Sequence, residues 1–224
     1  MIERGMLFSG PMVRALLAGQ KTQTRRLVNP QPDTSDGWVR WGSKRYDNGD
    51  GVHQFHTDDA SARRLMVPAC PYGVPGDRLW VRESWNVSGL AFGMRPSEAA
   101  KVASPKAWRY AATDRSWKHG WKPSIHMPRR ASRITLELTV IRVERLQEIS
   151  EEDARAEGIA SVRPSPSASS VFCVGNGESG PYFETARDAY AVLWDAINAE
   201  RATWKSNPFV WTVEFRELEI ARAA

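Results

Sequence analysis

Apolar and polar positions follow two rhythms along the chain, and each predicts its own elements. "MLFSGPMVRALLAGQKTQTRRLV", Met6 to Val28, reads as a short strand, a helix and a second strand. Pro11 suits a first helical turn, Ser9 stands where a cap belongs, and Gly19 fits a left-handed stop. "VPGDRLWVRESW" opens with turn residues and then puts Leu79, Val81, Glu83 and Trp85 on one strand face. "SRITLELTVIRVERL" aligns Ile134, Leu136, Leu138 and Val140, and the slip at Val140-Ile141 predicts a β-bulge or the bend of a closing barrel. "SEEDARAEG" predicts a short helix: Ser150 and Asp153 form a capping-box pattern, acids fill the first turn, and Gly158 ends it. "ARDAYAVLWDAIN" spaces Tyr190, Leu193, Trp194 and Ile197 as one helical face, and "NPFVWTVEFREL" turns Phe209, Trp211, Val213 and Phe215 inward.

Residues 29–69, 86–130 and 160–182 keep no period and read as excursions, the last Ser/Pro/Gly-rich and mobile. The expected architecture is a single α+β domain over 1–224. It is a small mixed β-barrel of four or five strands with two or three flanking helices, carrying long loop insertions.

Composition narrows the class. With 224 residues, 42% hydrophobic and 25% charged, the chain is ordinary for a soluble globular protein. No run approaches a membrane span, and "MIERGMLFSG" lacks an apolar core of signal-peptide length. Cys70 and Cys173 lie far apart and match no disulfide or metal framework, so a reduced, cytoplasmic protein is expected, with no membrane partner. A net charge of +5 tilts the expectation towards an anionic partner.

Candidate chemistry falls in four places. Lys21 and Thr24, three apart, would point to opposite faces of a regular strand. They converge only if Lys21 lies on the bend after Gly19 and the strand starts a residue or two later; a desolvated lysine beside a hydroxyl is a candidate base. A solvated basic strand edge is the alternative. Glu83, between Val81 and Trp85 on the inward face, needs a partner. Either it pairs with Arg25, Arg26 or Arg82, or it forms a polar pocket floor, with Arg82 and Trp85 beside it as substrate-binding residues. Glu157 breaks a local rule by placing an anion at a helix C-terminus, where surface glutamates are nonetheless common.

The fourth place is the segment 101–133, which carries nine Lys/Arg against the single acid Asp114, interleaved with Trp108, Tyr110, Trp117 and Trp121. Cations for phosphates and flat rings for bases are the components of a single-stranded nucleic-acid groove. Arg109, Trp117, Lys118, Trp121, Lys122, Arg129 and Arg130 are its candidates; a solvated loop pinned by its tryptophans is the alternative. His53, His56, His119 and His126 have no Cys or acid spacing that completes a zinc site, so no metal is expected.

"LLAGQKTQTRR" is similar to the opening signature of ASCH-domain proteins, a helix followed by a G-x-K-T-x-T-x-R-like strand. "GDRLWVRESW", "VIRVERLQEISEEDARAEGI" and "VWTVEF" fall where that family places its remaining core elements, and the chain most resembles its longer phage and prophage members. The resemblance implies a PUA-like barrel related to RNA-binding modules. Some small members remove the acetyl group from N4-acetylcytidine with a lysine, a threonine and a glutamate, which fall here on Lys21, Thr24 and Glu157. Thr24 or a water it holds would attack, Lys21 would act as base, Glu157 would orient Lys21 or shuttle the proton, and Arg26 could bind the oxyanion or a base carbonyl; no cofactor is needed. The implied partner is a modified nucleoside or a nucleic acid, RNA rather than DNA. A non-catalytic RNA- or DNA-binding module and a ribonuclease using Lys21 as general acid/base are the alternative functions.

Overall fold

The computed structural model of the chain describes residues 1–34, 38–41, 53–56, 59–163, 169–174 and 181–220. In chain order the elements are β1 (Glu3–Leu7), α1 (Gly10–Leu17), β2 (Gln23–Leu27), β3 (Trp38–Trp41), β4 (His53–His56), α2 (Asp59–Met66), β5 (Arg78–Arg82) and β6 (Trp85–Val87). There follow α3 (Pro96–Val102), β7 (Trp108–Tyr110), β8 (Ile134–Arg145), α4 (Glu151–Ala156), β9 (Ile159–Val162), β10 (Val171–Val174), α5 (Ala186–Asn198) and β11 (Phe209–Ile220).

The frame is α+β and built on a five-stranded mixed sheet in the order β1-β5-β8-β11-β2. Only β1 and β5 run parallel; the other pairs are antiparallel. The expected closed barrel is therefore corrected to an open sheet, with β1 and β2 as its edges. The edges approach without pairing: the Arg26 guanidinium donates to the Leu7 carbonyl at 2.6 Å and lies 5.4 Å from the Phe8 ring centre. Side chains therefore span the seam where a ladder would close it. Five α-helices are present among the described residues, against two or three expected.

Most periodic segments form as their patterns dictate, but Val140 and Ile197, expected on inward faces, are exposed, and β5 ends at Arg82, so Glu83 and Trp85 do not continue its face. Phe209, Trp211, Val213 and Phe215 are each at most 4% exposed, packed with Leu79, Val81, Ile134, Leu136 and Leu138 in the main core. Between β8 and β11 the register passes from Val140–Glu214 to Leu138–Phe215, which leaves Thr139 as the extra residue of a bulge where the alternation slips. Pro11 lies in the first turn of α1, and Gly19 takes φ +69° just past its end. Ser150 Oγ accepts from the Asp153 amide and caps α4.

The insertions build satellites. The second one packs the β6–β7 hairpin, α3 and the tail before β8 around Trp85, Trp108 and Tyr110 as its own apolar cluster. The third forms the β9–β10 hairpin, which packs with α4 and α5 in another cluster. The first contributes the β3–β4 pair and α2. Residues 35–37, 42–52, 57–58, 164–168 and 175–180 of these insertions lie outside the described residues, as does much of the segment expected to be mobile. No helix among the described residues is long and apolar enough to cross a membrane.

Gly158 joins α4 to β9 at φ +97°, and a Cβ there would lie 3.0 Å from Ala15 Cβ of α1. Both the left-handed conformation and the close approach demand glycine. Gly158→Ala is expected to cost about 1–3 kcal/mol, seen as a lower urea midpoint at an unchanged m-value; an unchanged midpoint would contradict the tight α1–α4 junction.

Candidate active site

Two helix ends meet at the seam of the sheet. After α1, the amides of Gln20 and Lys21 both donate to the Ala15 carbonyl, at 2.9 and 3.2 Å, which winds the chain tightly back. Lys21 then forms an isolated antiparallel bridge with Glu157, and the Thr22 amide donates to the Ala156 carbonyl at 2.8 Å. The strand proper begins at Gln23, two residues after Lys21. This is the geometry that lets Lys21 and Thr24 serve one cavity. A solvated strand edge is excluded, because Lys21, Gln23, Thr24 and Arg25 are each at most 4% exposed.

Glu157 is the C-cap of α4, and the anion at that helix end is answered by cations. Lys21 Nζ donates to Glu157 Oε2 at 2.8 Å and to the Glu157 carbonyl at 2.7 Å. Arg25 Nη1 lies 3.5 Å from Glu157 Oε1, while its Nη2 binds Asp153 at 2.8 Å and Glu144 at 2.9 Å. Glu144 in turn accepts from Arg142 and from Thr212. The Arg25 side chain is fully buried, so it cannot trade these carboxylates for water.

Electrostatics in this cluster shift the Lys21 ammonium towards losing its proton more readily than an exposed lysine does. Burial pulls the Lys21 ammonium below its ordinary range; Glu157 opposes that shift, and the charges of Arg26 and Arg25 reinforce it. Burial and the adjacent Glu157 charge hold the Tyr190 phenol well above its ordinary value, so it stays protonated. A neutral lysine has two N–H donors and one lone pair. Glu157 occupies two of the three tetrahedral positions of the Lys21 nitrogen, so in the neutral form the third would carry the lone pair.

Lys21, Thr24 and Glu157 all line one cavity of about 390 Å³ at the open seam. Leu7, Phe8 and Ser9 from the end of β1 form one wall, Thr24, Arg25 and Arg26 another, and α5 covers them with Tyr190, Leu193 and Trp194. Ser84 and Ser124 close the side towards the second insertion. The cavity thus pairs a charged floor with an apolar roof.

Three residues expected in substrate binding are placed elsewhere. Glu83 does not form the pocket floor. It is 1% exposed and makes a two-pronged pair with Arg133, at 2.9 and 3.0 Å, and Arg133 stacks 4.0 Å from the Tyr110 ring centre. Burial still raises the Glu83 carboxyl, with Arg133 opposing. Its partner is thus not Arg25, Arg26 or Arg82. Trp85 begins a new strand, is fully buried in the insertion's core, and offers no face to a ligand. Arg82 donates to the carbonyls of Ser124 and Ile125 and stacks on Trp80, which fixes the insertion against β5. Arg26 does reach the cavity, held by Leu7 and Phe8.

Of the nucleic-acid candidates, Trp117 and Trp121 come together, their ring centres 6.2 Å apart, and Arg109 lies 6.0 Å from Trp117. Lys118 is exposed between them. Lys122 is half-buried, with Nζ donating to the Met94 carbonyl at 3.2 Å. Arg129 and Arg130 are committed elsewhere, to Glu3 of β1 and to the Ala100 carbonyl. Trp108 and Tyr110 belong to the insertion's core.

Sequence reasoning missed Arg25 as a pocket residue and missed Tyr190, Leu193, Ser84 and Ser124. Arg25 was findable, since a buried strand with Lys21 and Gln23 on one face carries Arg25 on the same face. The α5 residues carry no signal beyond an ordinary amphipathic helix. Neither a family model nor a curated protein nor a solved structure matches the chain.

Arg25→Leu leaves Glu157, Asp153 and Glu144 without their shared cation and is expected to cost about 3–5 kcal/mol, with part recovered when Glu157→Gln is added. Denaturant unfolding of the two singles and the double checks this; a loss below about 1 kcal/mol, the range of an exposed pair, would contradict it.

Proposed function

We propose that the chain is an amidohydrolase that removes an N-acyl group from a modified nucleobase of the N4-acetylcytidine type. The observation that carries this reading is the convergence of Lys21, Thr24 and Glu157 in one cavity, with the Lys21 amine desolvated and both of its N–H donors committed to Glu157. The resemblance of the K-T-x-T-x-R segment and of "ISEEDARAEG" to the ASCH amidohydrolases supports the same three residues from the side of sequence. A PUA-like ancestry belongs to this proposal as well.

The chemistry needs a nucleophile, a base, oxyanion stabilisation and a proton for the leaving nitrogen. The Lys21 lone pair takes a proton from Thr24 Oγ or from a water that Thr24 holds. The oxygen bonds to the acyl carbon, and the carbonyl oxygen becomes an oxyanion beside the Arg26 guanidinium that lines the cavity. Lys21 then returns the proton to the exocyclic amine of the base as the C–N bond breaks. If Thr24 itself attacks, a water hydrolyses the resulting ester by the same base, so one water is consumed and one carboxylic acid released. Glu157 orients the amine throughout. The apolar face from Leu193 and Trp194 suits the acyl chain or the flat base.

Turnover of N4-acetylcytidine, with products separated by chromatography, tests the reading. Lys21→Ala is expected to lower kcat by about 10²–10⁴ and Thr24→Ala comparably, with both proteins folded. Equal turnover in wild type and Lys21→Ala would overturn it. Because the base must be neutral, the rate rises as pH climbs through the lowered Lys21 pKa and levels off above it. The inflection is expected below the value of about 10.4 for an unperturbed lysine; a rate that falls over that range would contradict Lys21 as base.

A further inference from the structure

We infer that the second insertion carries a stacking platform for single-stranded nucleic acid, formed by Phe92, Trp117, His119 and Trp121. The four rings make one continuous cluster. Phe92 lies 5.0 Å from His119 and 5.9 Å from Trp117, and Trp117 lies 4.8 Å from His119 and 6.2 Å from Trp121. Phe92 is 48% exposed, His119 is exposed, and both tryptophans are half-buried. The insertion has its own core around Trp85, Trp108 and Tyr110, and none of the four rings belongs to it. A contiguous aromatic cluster exposed outside that core is the kind of surface that serves as an interaction site.

The charge around the rings selects the partner. The segment 101–133 holds nine cations and one acid; Arg129, Arg130 and Arg133 are taken up by Glu3, the Ala100 carbonyl and Glu83, and the acid, Asp114, is taken up by Ser116 and by Arg109 at 3.9 Å. Lys118, between Trp117 and His119 in the chain, is exposed. An acidic protein would satisfy the cations but would leave the ring faces without a purpose. An unpaired strand satisfies both, phosphates on the lysines and bases on the rings, whereas a duplex keeps its base faces stacked inside.

The platform also adjoins the cavity. The backbone of Lys122 pairs in both directions with Trp85, and Ser124, two residues on, lines the cavity with Ser84. Trp121 and Ser124 are three residues apart, so chain length alone keeps their Cα atoms within about 11 Å. A strand stacked on the platform can place a neighbouring base at the cavity mouth. That a polymer is the substrate rests on the hydrolase reading; the platform itself does not.

The test is fluorescence anisotropy with a labelled single-stranded RNA and DNA of about a dozen nucleotides, a duplex of the same sequence, and inorganic polyphosphate, using wild-type protein and Lys21→Ala. The single strands are expected to bind at least tenfold more tightly than the duplex or polyphosphate, in both proteins. Phe92→Ala and Trp117→Ala are each expected to weaken binding about tenfold or more, and Lys118→Glu to weaken it and flatten the salt dependence. Phe92 and Lys118 are exposed, so these two variants stay informative if Trp117→Ala misfolds. Equal binding of polyphosphate, with no effect of the aromatic substitutions, would overturn the platform in favour of a plain anionic or acidic-protein partner. Absent strand binding in a protein that turns over the free nucleoside would overturn it too, leaving the hydrolase intact. Strand binding without turnover would support the platform while the hydrolase reading fails.

Discussion

One buried carboxylate held between a lysine and an arginine organises this molecule. Glu157 takes Lys21 on one oxygen and faces Arg25 with the other, and all three are buried. The arrangement ties the turn after α1 to the end of α4 and both to β2, so the route of the chain through its first 30 residues depends on it. A buried pair of this kind contributes little net stability compared with an apolar substitute, yet losing one partner is costly. Its main consequence is for the lysine. A cation desolvated and flanked by two arginines is pushed towards the neutral form, while Glu157 fixes where its hydrogens point.

The opening of the sheet matters as much as the charges. A closed barrel would join β1 to β2 by backbone bonds and leave no room at that seam. Here Phe8 and Arg26 span it, and the remaining gap becomes a cavity with α5 as its lid. The edge strands are thereby protected from pairing with other chains while still enclosing a site. The cavity inherits its two-sided character from this origin: the strand side supplies ionisable groups, and the helix side supplies Tyr190, Leu193 and Trp194. The second insertion completes the rim through Ser124, so reactive floor and outer surface are joined by one short stretch of chain.

Local pattern explained the elements well and their partnerships poorly. Period two in β11 and β8, the bulge at Thr139, the glycine stop at Gly19 and the cap at Ser150 are all consequences of nearest neighbours, and each was legible. So was the bend that brings Lys21 to Thr24, because opposite strand faces left no other way to unite them. Closure was misjudged, since sheet edges meet or fail to meet through residues distant in sequence. Glu83 shows the same limit: its need for a cation was plain, but Arg133, fifty positions on, was not the arginine expected. In the basic insertion, composition marked the segment without distinguishing Trp108, which packs inward from β7, from Trp117, which stays at the surface. The role of α5 was invisible because a helix that lids a cavity and a helix that covers a core share one amphipathic pattern.

The claim on which the account rests is that burial and two arginines tune Lys21 as a base and do not merely bury it as a structural ion. Direct NMR titration of the Lys21 side chain, with selective lysine labelling in the folded protein, tests this without reference to any substrate. The account predicts a titration below the value of about 10.4 for an unperturbed lysine, moving lower still in Glu157→Gln, where the opposing charge is lost. A Lys21 that titrates at or above that value would contradict it and reduce the cluster to a structural salt bridge.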